Sequence, residues 1–208
     1  TNLSDALIGH NEEVPVLNIA QIFDTGGLRV LCRISQGVIR PSDVVGKRIG
    51  EWGIGDDRVV NHLLEMLEIP ASAVEFVAQQ PNGKDLIEGN VDCATAMSYN
   101  EQLRIRNAGV PEDDLIVLEP ERFGLAAVED GVYVRAASLA DPHFRTQLTR
   151  FVKALRLGWH EARLAPTLAV EAILRRDSTL DRAFQLQMLE AVLRLIPKDI
   201  DQFGQLDL

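Results

Sequence analysis

The stretch Gly83–Gly109, GKDLIEGNVDCATAMSYNEQLRIRNAG, decides the fold. Lys84–Glu88 is a short amphipathic run stopped by Gly89. Val91–Met97 is an apolar-rich run interrupted by Asp92. Ser98-Tyr99-Asn100-Glu101 then opens a second helical pattern that stops at Gly109. This order reads as helix, buried strand, helix. In open α/β sheets, ligands sit outside the carboxyl ends of the strands, beside the first turn of the next helix. Ser98–Glu101 fall at that place. A hydroxyl, a phenol, an amide and a carboxylate within four residues suit a grip on a small polar molecule. The same four suit a capping box, with Ser98 as N-cap and Glu101 three residues on. On the residues alone both readings stand.

Working outward, strands and helices alternate from Lys47 to Leu118. Lys47–Trp52 reads as a short strand. The turn Gly53-Ile54-Gly55-Asp56-Asp57 leads into an amphipathic helix whose apolar face carries Val59, Leu63, Leu64 and Leu67. Ala73–Gln79 and Asp114–Leu118 read as further strands. Such alternation predicts a parallel sheet with helices on both faces. A glycine-bearing strand-to-helix turn lets backbone N–H groups approach an anion at the helix N-terminus. The turn at Gly53–Gly55 lacks the later residues of a Rossmann or P-loop motif, and a plain tight turn is the commoner reading.

The flanks differ. Val14–Phe23 and Leu28–Ile34 read as strands, as does the short Val132–Arg135. Glu119–Gly131 is turn-rich and acidic, and the expectation for Glu119, Glu121, Glu129 and Asp130 is a solvated loop. After Asp141-Pro142, a good N-cap with proline in the first turn, the chain is helical. Phe144, Leu148, Phe151, Val152, Leu155 and Trp159 form one long apolar stripe. Pro166 starts a second helix and Leu180–Ile196 forms a third. Trp159, at helical spacing, is expected in the core.

Composition bounds the function. The 208 residues are 46% apolar and 25% charged, the balance of a globular protein with a substantial core. A net charge of −10 argues against non-specific contact with nucleic acid or anionic membrane. It leaves a local anion site open. No apolar run is long enough to span a bilayer, and no secretory leader is read in the text. Cys32 and Cys93 each lie in an apolar run, and the expectation is two buried thiols rather than a disulfide or a metal site. His10, His62, His143 and His160 show no metal-ligand spacing. Neither a metal nor a cofactor is expected.

The order of the pieces is distinctive. VPVLNIAQIF is followed by SQGVIRPSDVVGKRIGEWGIG, DLIEGNVDCATAMSYNE, AGVPEDDLIVLEP, VEDGVYVR and SLADPHFRTQLTRFVKALRLGWHEA. Together they resemble the extracytoplasmic solute-binding proteins of ABC transporters, within the branch serving thiamine-precursor pyrimidines and related sulfonates. The resemblance covers nearly the whole chain. It implies an α/β, two-lobed, type II periplasmic-binding fold with a ligand cleft and hinge closure. Lobe II is implied at 47–118, with lobe I built from 1–46 and from 119–208, the latter mostly helical. Family members carry a further strand–helix–strand–helix block ahead of the part matching Leu3–Glu13, so lobe I is expected to be incomplete here.

The resemblance also implies the partners: a small planar or anionic ligand and the membrane permease of an ABC importer, in a periplasmic or other extracytoplasmic setting. The candidate ligand residues are Trp52, for stacking on a planar ring; Gly53, Ile54 and Gly55, for backbone donation; and Ser98, Tyr99, Asn100 and Glu101, for polar edges and ring amines. Glu121 and Gly124 are expected on the segment re-entering lobe I. For Trp52, strand-end packing is an even alternative. A sensing module of the same fold fits the sequence as well. The superfamily also includes an enzyme that makes the thiamine pyrimidine from pyridoxal phosphate. That resemblance implies an iron-binding cysteine run before Val132–Arg135. This chain has Gly124-Leu125-Ala126-Ala127-Val128 there, so the enzymatic reading is disfavoured.

Overall fold

The computed structural model describes residues 6, 14–53, 56–125 and 129–205. Among these, the strands are β1 (Val16–Gln21), β2 (Leu28–Arg33), β3 (Arg48–Glu51), β4 (Glu75–Ala78), β5 (Cys93–Met97), β6 (Leu115–Leu118) and β7 (Gly131–Arg135). The α-helices are α1 (Asp56–Met66), α2 (Lys84–Glu88), α3 (Glu101–Asn107), α4 (Pro142–Leu164), α5 (Pro166–Leu174) and α6 (Arg182–Val192). Short 3₁₀ turns join many of them. The chain forms two compact units, one from Thr1–Gly26 with Val128–Leu208, the other from Gly27–Ala127.

The unit Gly27–Ala127 holds a five-stranded sheet in the order β4-β3-β5-β2-β6. β3 pairs parallel with β4 and with β5, as the alternation predicts. β2 departs from it. It runs antiparallel to both neighbours, with Leu28 opposite Met97 and Val30 opposite Leu118. Residues 27–46, expected in the first lobe, therefore belong to this unit. The reason is that β2 supplies the pairing that holds β6 in the sheet.

Both faces of this sheet are covered, which is why β5 reads as almost unbroken apolar sequence. On one face α1 packs Val60, Leu63 and Leu64 against Val30, Ile49 and Leu118. These helix positions follow the 3.6-residue period. On the other face Leu86 of α2 and Ile105 of α3 pack against Leu31, Ala94 and Ala96. Gly83 has φ +72° and a Cβ there would lie 2.6 Å from the Ile105 side chain, so both backbone and packing require glycine.

The cysteines are not free thiols. Cys32 and Cys93 face each other across β2 and β5 and form a disulfide with Cα atoms 4.0 Å apart. Their assignment to different lobes hid this. Strand pairing, invisible in the linear text, brings them together on the α1 face, where both are completely buried.

At the end of β2 near the start of β6, Arg33 donates through Nε to Asp114 Oδ2 at 2.5 Å. The same carboxylate accepts from the Ser35 N–H at 2.6 Å and the Ser35 hydroxyl at 2.9 Å. Burial pushes the Asp114 carboxyl up, but the Ser35 N–H, the Ser35 hydroxyl and the Arg33 guanidinium outweigh it. The group ends below the ordinary aspartate value.

The other unit pairs β1 with β7 antiparallel, Val16 opposite Arg135 and Gln21 opposite Gly131, with a bulge between Asn18 and Ala20. Gln21 also exchanges backbone hydrogen bonds with Gly204. α4 begins as its sequence predicts: the Asp141 carboxylate accepts from the His143 N–H at 2.8 Å and Pro142 opens the helix. Asp181 caps α6 in the same way, accepting from the Phe184 N–H. Ala162, Val170, Leu189 and Leu193 form the helical core, and Trp159 packs against it.

Two outcomes follow from these contacts. Loss of the disulfide in a Cys32→Ala/Cys93→Ala variant opens a loop of sequence separation 61. It is expected to cost about 2–4 kcal/mol in urea unfolding, and the intact protein should show no free thiol under denaturing titration. For Asp114 the folded pKa is lowered, so its contribution is complete above the ordinary value of about 4 and is lost as pH falls through the folded value. Asp114→Asn should flatten the acid limb of stability against pH, measured by thermal melts between neutral pH and pH ~3.

Candidate functional site

The register of the five-stranded sheet decides which candidate residues meet. Glu51 lies opposite Ala78, Gly50 opposite Ala94, Leu28 opposite Met97 and Val30 opposite Leu118. The carboxyl ends of β3, β4, β5 and β6 therefore share one edge with the start of β2. Trp52 follows β3, Ser98–Asn100 follow β5, and Glu121 follows β6 within the 3₁₀ turn Pro120–Phe123. The two turns on which the sequence reading rests stand side by side.

Trp52 is 38% exposed, so half or more of its ring area is sheltered while part faces outward. Gly53 has φ +99° with open space where a Cβ would lie. Its conformation, rather than crowding, calls for glycine. Ile54 and Gly55 lie outside the described residues.

The turn after β5 is tightly held. The Ser98 N–H donates to the Gly27 carbonyl at 2.8 Å, tying the turn to the strand start beside it. Ser98, Tyr99 and Asn100 are half-buried. Of the two readings of Ser98–Glu101, the capping box at Ser98 does not form. Asn100 is the N-cap of α3, and Glu101 is its first residue. Glu101, only 7% exposed, turns back: one carboxylate oxygen accepts from the Met97 N–H at 2.9 Å and the other from the Asn100 amide at 2.6 Å. The Asn100 side-chain oxygen Oδ1 in turn accepts from Arg104 Nε at 2.9 Å. Glu101 thus braces the turn from within, and Asn100 links it to α3.

Glu121 and Gly124 lie in the same compact unit as Trp52 and Tyr99, not on a segment of the other unit. The acidic loop is also less solvated than its composition suggests. Glu129 is 6% exposed, Glu119 pairs with Arg122, and Glu121 meets Arg29. Arg29 Nη1 lies 3.2 Å from each Glu121 oxygen and 2.6 Å from the Leu28 carbonyl.

Sequence reasoning passed over two residues at this edge. One is Arg29, the lone charge within LRVLC, and a cation inside an apolar strand was the available signal. The other is Gln79, whose amide nitrogen donates to the Thr95 carbonyl at 2.8 Å and the Thr95 hydroxyl at 3.0 Å. It spans Gly50, where a Cβ would come within 2.8 Å of the Gln79 side-chain oxygen. That bridge ties the end of β4 to β5 across β3.

Chemically, the edge gathers an indole, a phenol and a guanidinium, while the Glu101 carboxylate is turned inward. An apolar groove of ≈ 550 Å³ between α4, α5 and α6 is the contrasting feature. Gln185 and the Trp159 indole are its polar groups, so it offers little to orient a polar ligand. Among the described residues no group of three or more His, Cys, Asp or Glu could hold a metal ion. No described helix is long and apolar enough to cross a membrane.

Comparison with known proteins places the chain. No curated protein sequence matches it. Among solved structures, a protein of Bordetella bronchiseptica RB50 superposes with TM-score 0.66 at 19% identity, covering 99% of this chain and 66% of that one. The aliphatic sulphonate binding protein SsuA of Escherichia coli, a periplasmic protein, gives 0.61 at 12% identity, covering 91% and 58%. The alkanesulfonate-binding protein SsuA of Xanthomonas axonopodis pv. citri, bound to MOPS, gives 0.58 at 16% identity, covering 88% and 60%. These likenesses show a shared fold, and the chain spans roughly three fifths to two thirds of the length of those proteins. The model of the family described as "NMT1/THI5 like" matches residues 1–169. The chain belongs to the NMT1/THI5-like family.

Proposed function

We propose that this protein is a substrate-binding component of an ABC importer, which captures a small planar or anionic molecule and hands it to a membrane permease. The observation that carries the reading is the strand register, which sets Trp52, Tyr99 and Arg29 along one edge of the five-stranded sheet. Strand carboxyl ends are where open α/β sheets place their ligands. An aromatic surface beside hydrogen-bonding and cationic groups suits a flat ring with a polar or negatively charged substituent. The unit Gly27–Ala127 serves in this reading as the gripping lobe. Ser98 and the Gly53 backbone supply further polar contacts at the same edge. Glu101 and Asn100 act by holding the Tyr99 turn in shape.

The ligand in this reading is a thiamine-precursor pyrimidine or a sulfonate-like anion, and the sulfonate-binding neighbours support the second. An extracytoplasmic setting is supported by the Cys32–Cys93 disulfide, since such bonds persist in oxidising compartments. Binding without catalysis is supported by the lysines of the gripping unit. Lys47 donates to the Gln36 carbonyl at 2.6 Å, and Lys84 pairs with Glu88 along α2. Both serve local structure.

A thermal-shift series tests this with the hydroxymethyl aminopyrimidine of thiamine and with MOPS as probes. A ligand at about 100 times its Kd stabilises the native state by about 2.7 kcal/mol. The expected result is a melting-temperature rise with at least one probe, reduced at least tenfold in apparent affinity by Tyr99→Ala and by Trp52→Ala. A rise that both substitutions leave unchanged would place the site elsewhere and sink the proposal.

A further inference from the structure

Strand β2 carries two arginines four residues apart, each paired with a carboxylate but at different distances. Arg33, at one end, is locked. Its carboxylate partner Asp114 lies 2.5 Å away and accepts two more hydrogen bonds from Ser35. The Arg33 guanidinium also donates to the Leu86 carbonyl at 3.3 Å. Arg29, at the proposed ligand edge, is held more loosely by its carboxylate. Its Nη1 donates to the Leu28 carbonyl at 2.6 Å and reaches both Glu121 oxygens only at 3.2 Å. Charge-assisted N–H···O bonds run about 2.7–2.9 Å, so this pair is long. The Arg29 side chain is 14% exposed and that of Glu121 is 32% exposed. The cation is thus the more deeply set partner and the carboxylate the more accessible one.

A largely buried guanidinium needs a counter-charge, but not a particular one. A ligand carboxylate or sulfonate presents the same planar or trigonal array of oxygens as Glu121 and can take its place. Glu121 sits in a four-residue 3₁₀ turn, Pro120–Phe123, joined to Arg29 across 92 positions of sequence. Swinging its side chain outward requires no change in the strand. We propose that Glu121 is an internal competitor for the anion-recognising residue Arg29: it neutralises the guanidinium in the empty protein and is displaced by the acid group of an anionic ligand. The inference rests on the binding role proposed above and narrows its ligand class to organic anions. It makes Arg29 the residue that reads charge and Glu121 the one that sets how much affinity an anion must bring.

The test compares matched probes by calorimetry: benzenesulfonate against benzenesulfonamide, and benzoate against benzamide. The readout is the ratio of anion to neutral affinity, in the wild type, Glu121→Gln, Arg29→Gln and the charge-balanced double variant, each checked for folding by urea unfolding. Glu121→Gln should raise the ratio about tenfold, the value of one charge-assisted hydrogen bond released to the ligand. The double variant should bring the ratio to about one and Arg29→Gln, which leaves the Glu121 charge facing the probe, to one or below, whether or not the single variant is less stable. The sulfonate and carboxylate arms show which acid group fits. A ratio that Glu121→Gln leaves unchanged or lowers overturns the competition. A ratio that survives in the double variant overturns the role of Arg29. If Tyr99→Ala still abolishes binding in either case, the binding role stands and this inference alone falls. Failure of wild-type protein to bind any of the four probes overturns the inference as well, and the pyrimidine and MOPS series then decides the binding role separately.

Discussion

One strand placement governs the unit that carries the candidate site. β2 is inserted against the direction of its neighbours, between β5 and β6, and Leu31 and Cys32 within it are both wholly buried. β6 depends on this insertion, because it reaches the rest of the sheet only through β2, whereas β3 pairs directly with β4 and β5. Burying one leucine side chain contributes about 1.5–3 kcal/mol, so the strand is anchored on both faces as well as along its edges. The disulfide adds a covalent tie at the same level as Ile49 and Cys93 of the neighbouring strands.

The reversed direction of β2 has a chemical consequence. The parallel strands β3, β4 and β5, together with β6, all end at one edge, and β2 begins there. An arginine near its start, Arg29, therefore stands at the edge where β3, β5 and β6 end and pairs with Glu121 in the turn after β6, while Arg33 goes to the opposite edge and into a structural cluster with Asp114. A strand running with the others would have exchanged the two. The local electrostatics of the edge consequently differ from those of the chain as a whole. The protein carries a net charge of −10, yet the Glu101 carboxylate is spent on the Met97 N–H and the Asn100 amide, and Glu121 neutralises Arg29. What an incoming molecule meets is set by how acids are used inside the fold, and net charge does not report that.

The legible parts were those with a strong period or a strong punctuation mark. The α1 stripe at Leu63 and Leu64, where the structure buries Val60 in place of the expected Val59, the buried run Cys93–Met97 and the Asp141-Pro142 helix start are each set by residues within one or two turns of each other. Local chemistry suffices for such elements. Misreadings came where a partner is distant in sequence. Cys32 and Cys93 read as separate thiols and Glu121 as a residue of a solvated loop, while Ser98 read equally as a cap or a ligand contact. Their partners lie across strands or, for the Ser98 N–H, at Gly27. The first glycine turn was legible as a turn, but only its Gly53 end lies among the described residues.

The amino-acid order by itself determined the succession of strands and helices, the two-faced burial of the central sheet and the position of the Trp52 and Tyr99 turns at strand ends. Those properties follow from periodicity, which is a short-range record of which side of an element meets solvent. Only the tertiary structure decided that β2 runs backwards through the sheet, that two cysteines join, that Glu101 faces inward and that Arg29 stands at the edge where β3, β5 and β6 end. These depend on which distant segments pair and in which register. A hydrogen-bonded ladder satisfies the same backbone groups in either direction, so the choice is made by packing over the whole unit and leaves no local mark.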